Sequence, residues 1–347
     1  GGLQGNLIVR GGGDPSWSYR FFGDDFEKPV QAFVDELLRQ VNLREVRGDL
    51  VADDTSFLYE PYAPALSWED FQWAYGVRIT ALGFNDQVMA LEITPGAKGQ
   101  PATFRTFPAF LSGALRGQVV SRPGAVLQDL ISFKPFDADE YYLSGAVATG
   151  DPMIIKMAVT DPAALAGRWI AEELRRRGVA ITGTVRVEHR LHYLPAPPRT
   201  QPLRTLAEIQ GLPLAQILDP MMKKSINPEA ELLLRQLGAK QPNATGPERE
   251  AGIAAIYKLW PDLMEPGVNV AMLDGSGLSR QNLLSPRRLT GLLGLIGQAP
   301  DFAPCRNLLS ASGTDGTLKW RLGGKTTGLV FAKTGRLGLV ISMAGFV

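Results

Sequence analysis

Apolar residues recur at helical spacing over residues 27–41, where Val30, Phe33, Val34, Leu37, Leu38 and Val41 share one side. That spacing predicts a helix. From about Val46 to Leu194 the pattern shortens to alternating runs such as VRITALGF, QVMALEITP and EYYLSGAVA, parted by Gly and Pro turns. Short runs of this kind predict β-rich structure, interrupted by one helix at 162–177. The Pro-rich stretch LPAPPRTQPL at 194–203 reads as a linker. Beyond it, helices are expected at 205–218, 228–237, 248–259 and 286–297. The closing GLVFAKTGRLGLVISMAGFV then reads as two strands broken at Gly335 and Gly338.

Composition narrows the picture by exclusion. Lys and Arg number 36 against 35 Asp and Glu, too even a balance to gather nucleic acid or anionic lipid. With 347 residues, 25 prolines and 38 glycines, the chain exceeds what one core usually organises and reads as loop-rich and multi-domain. No apolar run approaches the ~20 residues that span a bilayer, so no transmembrane segment is expected. Cys305 stands alone, which leaves no internal disulfide, and it reads as a small buried hydrophobe.

Histidine is nearly absent. His189 and His192 lie three apart, but β-formers and Pro195, Pro197 and Pro198 argue against the helix that would place them on one face. With no third ligand nearby, neither a metal site nor a Ser-His-Asp triad is expected. A base for acyl chemistry would have to be lysine. Other motifs read as ordinary structure. Arg10 to Pro15 is a turn after a strand, and Ser276 is a turn residue because Asp274-Gly275-Ser276-Gly277 departs from G-x-S-x-G. Arg175, Arg176 and Arg177 form the solvated C-terminal end of a helix.

Two short motifs carry chemistry. Lys333-Thr334-Gly335 sits on a predicted strand, where an ammonium can be held near a nucleophile and a hydroxyl can grip a carboxylate. The missing Cβ at Gly335 lets an extended substrate lie along the backbone. Upstream, Ser225-Ile226-Asn227 is an S-x-N between two helical patterns. Pro228 suits a first helical position. Leu232, Leu233 and Leu237 give the following helix an apolar face, and Gly238 closes it. Taken alone, Asn227 would read as a helix cap. The triad S-x-x-K, S-x-N and K-T-G marks β-lactamases and penicillin-binding proteins. The first is missing: no serine is followed three positions later by lysine.

These segments resemble the three-domain, low-molecular-mass (class C) penicillin-binding proteins, the D-alanyl-D-alanine carboxypeptidase/endopeptidase family. The likeness runs through GNLIVRGGGDPS, RGDLVADDTSF, SWEDFQWAYGVRITAL, KKSINPEAELLLRQLG, LDGSGLSRQNLLSPRRL and GTDGTLKWRL, in family order over nearly the whole chain. It implies an α/β (α+β) fold: a transpeptidase/β-lactamase-like domain split by two inserted β-rich domains. The expected division is 1–45 and 201–347 for the split domain, 46–75 with 140–200 for one insertion, and 76–139 for the other. The resemblance also implies a fragment clipped at both ends, lacking the S-x-x-K region and the last strand and helix. It is therefore expected to be inactive as given.

For function, the resemblance implies a serine DD-peptidase of peptidoglycan metabolism, extracytoplasmic and without cofactor. It would cleave D-Ala-D-Ala or cross-link peptide bonds through an acyl-enzyme, with stem peptides as partners and β-lactams as covalent inhibitors of the complete enzyme. The alternative is a non-catalytic peptidoglycan-binding relative. Ser225 would relay a proton to the leaving amine, Asn227 would hold the substrate amide, and Lys333 would keep the site electropositive. Thr334 would hold the terminal carboxylate, Gly335 would let the peptide dock, and Arg336 would lend a backbone N–H to an oxyanion hole. Arg336 departs from the usual Thr or Ser, which alters side-chain recognition there. Arg280 at the rim would meet a stem carboxylate. Asp70, with Trp68 and Tyr75, would line the same rim for an amino-bearing side chain.

Overall fold

The expected amphipathic segment near the start forms helix Lys28–Gln40, opened by Pro29 and burying Val30, Val34 and Leu37. Phe33, Leu38 and Val41 pack at the edge of the same core. The computed structural model describes residues 1–191, 203–242, 246–261 and 270–347. The Pro-rich linker expected at 194–203 lies almost wholly outside the described residues, as does His192. The chain forms two units, Gly1–Tyr62 with Ser67–Gln210 and Ala63–Leu66 with Gly211–Val347.

In the first unit, strand Leu50–Leu58 runs between Leu7–Arg10 and Val185–Arg190, parallel to both. Helices Lys28–Gln40 and Pro162–Arg176 close over a core that includes Val34, Leu50, Ala166, Ile170 and Leu174. Residues 1–45 therefore pack with the region expected as an insertion, because Leu7 to Arg10 find their ladder partners at Leu50 to Asp53. A second core gathers Met89, Leu91, Ile93, Tyr141, Leu143 and Met157 from the antiparallel sheet around Val88–Thr94 and from Tyr141–Val147.

One expected strand does not form. VRITALGF is buried at Val77, Ile79, Ala81, Leu82 and Phe84, yet it is irregular. Its backbone is satisfied by side chains instead of a ladder. Thr80 N donates to Gln87 Oε1 at 2.9 Å, Gln87 Nε2 returns a bond to Thr80 O at 2.7 Å, and Ala81 N donates to Asp54. Gly11 is required opposite this segment, since a Cβ there would lie 2.2 Å from Ala81 O.

His189 stands on strand Val185–Arg190 between two carboxylates, Asp54 at 2.7 Å from Nδ1 and Asp161 at 3.1 Å from Nε2. The Tyr59 ring lies against the imidazole at a tilt, centroids 3.9 Å apart. Burial alone would lower the imidazole pKa, but the hydrogen bonds to Asp161 and Asp54 outweigh it and raise it to about 9.

The second unit is built from helices Leu214–Lys224, Asn227–Ala239, Glu248–Leu259, Pro286–Gln298 and Phe302–Asn307. They accompany an antiparallel sheet ordered Ser310–Ala311, Phe331–Leu337, Val340–Phe346. The helix expected at 205–218 begins only at Leu214, because Gly211 and Pro213 disfavour helix just before it. It then runs through Pro220 to Lys224.

Gly238 lies inside its helix and does not end it. It is the point of closest approach to the next helix, where a Cβ would fall 1.7 Å from Glu248 O. The buried stripe of that helix is Leu232 and Leu234 with Glu231 and Arg235, while Leu233 and Leu237 are only half-buried. Cys305 is exposed, contrary to the expectation of burial, because the short helix that carries it buries no residue.

Candidate active site

The two motifs meet. Helix Leu214–Lys224 ends at Ser225, which adopts the left-handed conformation at φ 58° and ψ 61°. Helix Asn227–Ala239 starts two residues later, with Pro228 in its first turn. Ser225 is thus the joint between two helices, with its side chain exposed. Lys333 Nζ donates to Ser225 Oγ at 2.7 Å and to Thr334 O at 2.6 Å. Burial pushes the Lys333 pKa down from the usual lysine range. A half-buried amine with a lowered proton affinity, bonded to a serine, is suited to hold and move protons. Asn227 is half-buried beside them in sequence, at the first position of its helix.

The strand that carries Lys333 offers an open edge. Strand Ser310–Ala311 covers only Phe331 and Ala332, and Ser312 N donates to Val330 O at 2.9 Å. Main-chain groups alternate sides along a strand. The N–H and C=O of Thr334 and Arg336 therefore point to the side of Val330 O, away from Val340–Phe346. No described strand covers that edge between Lys333 and Leu337. An edge of this length with no neighbouring strand can accept an extended peptide as an added strand. Gly335 pairs with Ser342, and a Cβ there would lie 2.6 Å from Ser342 Oγ, so glycine keeps this stretch bare. The Arg336 side chain is exposed.

Four residues not singled out from sequence support the motifs. Thr334 Oγ1 lies 2.8 Å from Thr317 Oγ1, which in turn lies 3.3 Å from Ser310 Oγ. Lys223, two residues before Ser225, pairs with Asp315 at 2.9 Å. The Lys223 pKa is raised chiefly by the hydrogen bond to Asp315. For Asp315, burial would raise the pKa, but Ala311 N–H and Lys223 hold it below the usual carboxylate range. The signal available in sequence was the compact Thr314-Asp315-Gly316-Thr317 just upstream of the strand.

Arg280 lies on a loop with a polar skeleton. Gly275 N and Ser276 N each donate to Glu231 Oε1 at 2.9 Å, and Arg235 meets the other Glu231 oxygen at 2.9 Å. Asp274 accepts from Gly277 N at 2.9 Å and from Asn282 Nδ2 at 2.8 Å. Ser276 is a turn residue, its Oγ accepting from Leu278 N at 3.3 Å. Arg280 itself is exposed, and its N–H donates to Ala65 O at 3.3 Å. Trp68, Asp70 and Tyr75 belong to the first unit. Asp70 is buried and accepts from Ser67 N at 3.2 Å, fixing its own turn, whereas the Trp68 indole is 73% exposed.

An ammonium on a strand, bonded to a serine at a helix joint, fits the second and third motifs of serine acyl-transfer enzymes. The chain belongs to the D-Ala-D-Ala carboxypeptidase 3 (S13) family, whose sequence profile matches residues 1–347. It is 30% identical over 355 residues to the D-alanyl-D-alanine carboxypeptidase of Actinomadura sp. (strain R39), covering 99% of this chain and 63% of the relative. It is 28% identical over 358 residues to the D-alanyl-D-alanine carboxypeptidase DacB of Haemophilus influenzae, covering 100% of this chain and 70% of that one. The crystal structure of penicillin binding protein 4 from H. influenzae superposes with a TM-score of 0.78 at 26% identity, covering 100% of this chain and 73% of that one. The mixed α/β fold expected from the sequence is the fold found. This chain thus spans under two thirds of the Actinomadura relative's length.

Proposed function

We propose that this chain carries the proton-relay and carboxylate-holding parts of a serine DD-peptidase site that acts on peptidoglycan stem peptides. The observation that supports it most is the Lys333 ammonium 2.7 Å from Ser225 Oγ, two groups 108 residues apart in sequence. In this reading the second unit is the transpeptidase-like domain, and the first holds the insertions at 76–139 and 140–200 with all of 46–75 but Ala63–Leu66. Action on peptidoglycan places the protein outside the cytoplasm. No described helix is long and apolar enough to cross a membrane.

The chemistry follows from the geometry. A stem peptide ending in D-Ala-D-Ala lies as an added strand along Lys333–Leu337, and its terminal carboxylate accepts from the Thr334 hydroxyl. A serine from an S-x-x-K segment, which these 347 residues do not contain, attacks the penultimate carbonyl as the lysine of that segment takes the hydroxyl proton. The oxyanion that forms accepts from the Arg336 N–H. Lys333 stabilises the developing negative charge. Ser225 passes a proton to the departing amine, Asn227 holds the peptide amide, and water then hydrolyses the acyl-enzyme, releasing the shortened peptide as an acid and restoring the serine. Arg280 would contact the remainder of the stem. β-Lactams, which present the same carboxylate and a strained amide, would acylate the same serine.

The test uses a chain extended upstream through an S-x-x-K segment. It should hydrolyse an acyl-D-Ala-D-Ala peptide and retain fluorescent penicillin on a denaturing gel. Ser225→Ala should slow the peptide far more than its thioester analogue, whose leaving group needs no proton. Equal slowing of both would remove the relay role. The 347-residue chain alone should show no covalent penicillin band, since losing the nucleophile of such a site costs on the order of 10⁶ in rate. Binding of stem peptides without hydrolysis by the extended chain would favour the non-catalytic relative.

A further inference from the structure

We infer that Thr317 is a positioning residue that turns the Thr334 hydroxyl toward an incoming carboxylate, by a reversal of direction in a chain of three hydroxyls. The inference rests on the proposed role of Thr334.

The chain is short and anchored at one end. Thr334 Oγ1 is 2.8 Å from Thr317 Oγ1, Thr317 Oγ1 is 3.3 Å from Ser310 Oγ, and Ser310 Oγ is 3.5 Å from Lys223 O. A carbonyl oxygen accepts only, so Ser310 donates to Lys223 O. Thr317 N also donates to Ser310 Oγ, at 3.1 Å. Ser310 is therefore an acceptor toward Thr317. Each hydroxyl has a single proton, which leaves two arrangements. In the first, Thr334 donates to Thr317 and Thr317 donates to Ser310. In the second, Thr317 donates to Thr334, and the Thr334 proton is free.

A carboxylate has no proton to give and can be held by Thr334 only in the second arrangement. Reversal gives up the contact from Thr317 to Ser310, which at 3.3 Å is long for an O–H···O bond. It keeps the 2.8 Å contact between the threonines, with donor and acceptor exchanged. A strong bond to an anion is thus gained for a weak one lost. With no hydroxyl at 317, Thr334 loses the partner that fixes its rotamer and supplies its second hydrogen bond.

The surrounding loop holds Thr317 where this works. Gly316, at φ 53°, brings the backbone so close that a Cβ would lie 2.2 Å from Ser310 Oγ and 2.8 Å from Lys223 O. Asp315 adds two ties, to Lys223 Nζ at 2.9 Å and to Ala311 N at 2.8 Å. The same loop therefore fixes both Thr317 and the end of the helix that delivers Ser225.

The test is binding by the 347-residue chain of N-acetyl-D-Ala-D-Ala and of its C-terminal amide, followed by NMR titration. The wild type should prefer the acid by about tenfold or more, the scale of one hydrogen bond to a charged group. Thr317→Val should shrink that preference to within about threefold, and Thr317→Ser should restore it. A merely structural defect would weaken both ligands and leave their ratio intact. Thr317→Ala, which adds no methyl to the loop, carries the same expectation if the valine variant does not fold. A preference unchanged in Thr317→Val or Thr317→Ala overturns the inference alone. A wild type that binds neither ligand, or both equally, overturns the role of Thr334 and this inference with it.

Discussion

In the first unit Val34, Leu50, Ile170 and Leu174 are fully buried, and a second core repeats the pattern around Met89, Leu91 and Met157. In the second unit helices Pro286–Gln298 and Phe302–Asn307 and strand Val340–Phe346 bury no residue, while Leu295, Ile341 and Met343 are exposed. The second unit buries a smaller apolar set, among them Ile217, Leu232, Leu234, Ile253 and Leu318, together with the charged Glu229, Glu231, Arg235, Arg249 and Asp274. Apolar burial stabilises by roughly 25 cal/mol per Å². Buried ion pairs return much of their Coulomb gain as desolvation. The difference teaches where the candidate chemistry sits. Lys333 and Ser225 belong to the part in which hydrogen bonds of specific geometry carry a larger share of the order, beside a smaller apolar core that includes Ile217, Ile226, Leu318 and Ala332.

The largest expected consequence is in local opening. Limited proteolysis should cut within Gly211–Val347 at least about tenfold faster than within Gly1–Tyr62 or Ser67–Gln210, since few buried apolar contacts mean cheap opening. Equal resistance of the two units would break the comparison. Next in size is a pair of truncations. Ile170→Ala should cost about 3 kcal/mol by chemical denaturation, as for other fully buried aliphatic side chains. Leu295→Ala, on a helix face left exposed, should cost about 0.5 kcal/mol or less. Similar losses for both would show a hidden core in the second unit.

The smallest effect is in pH, and it sharpens the contrast by acting on the first unit alone. His189 is charged in the folded state up to about pH 9, against an ordinary value of 6.5. Its contribution is therefore complete below about pH 6.5 and is lost as pH rises through 9. Asp54 and Asp161 face it from their own elements, with Asp54 pushed up by burial and Asp161 held low despite burial by His189 and Ala164 N–H. Lys134, lowered by burial, acts with the opposite sign. The measurement is thus the difference in melting temperature between wild type and His189→Gln, which should narrow between pH 6.5 and 9. A constant difference would show that His189 contributes packing only.

Much of the candidate site was legible because its motifs are written in side-chain chemistry. Lys333, Ser225 and Asn227 are short motifs, and the structure brings Lys333 and Ser225 together. Helix Lys28–Gln40 was legible because periodicity reports burial directly. Thr317, Ser310, Asp315 and Lys223 were not, since their roles depend on a loop folding back over a helix end, a relation with no period. VRITALGF misled for a related reason: alternation signals burial, but Asp54 and Gln87 supply its hydrogen bonds where a strand would have needed neighbours. Gly238 misled because a glycine that ends a helix and one that lets another helix approach look alike in sequence.

Ser225 has one more consequence, for anyone who breeds this protein. A residue other than glycine held at φ 58° costs about 1–2 kcal/mol relative to an unstrained backbone. Glycine at that position would relieve the cost and lose the hydroxyl that Lys333 meets. A screen for heat tolerance would therefore drift toward glycine at the helix joint. In a chain extended through an S-x-x-K segment, and with the relay role proposed for Ser225, a screen for turnover would hold the serine. At this single codon the two selections pull apart.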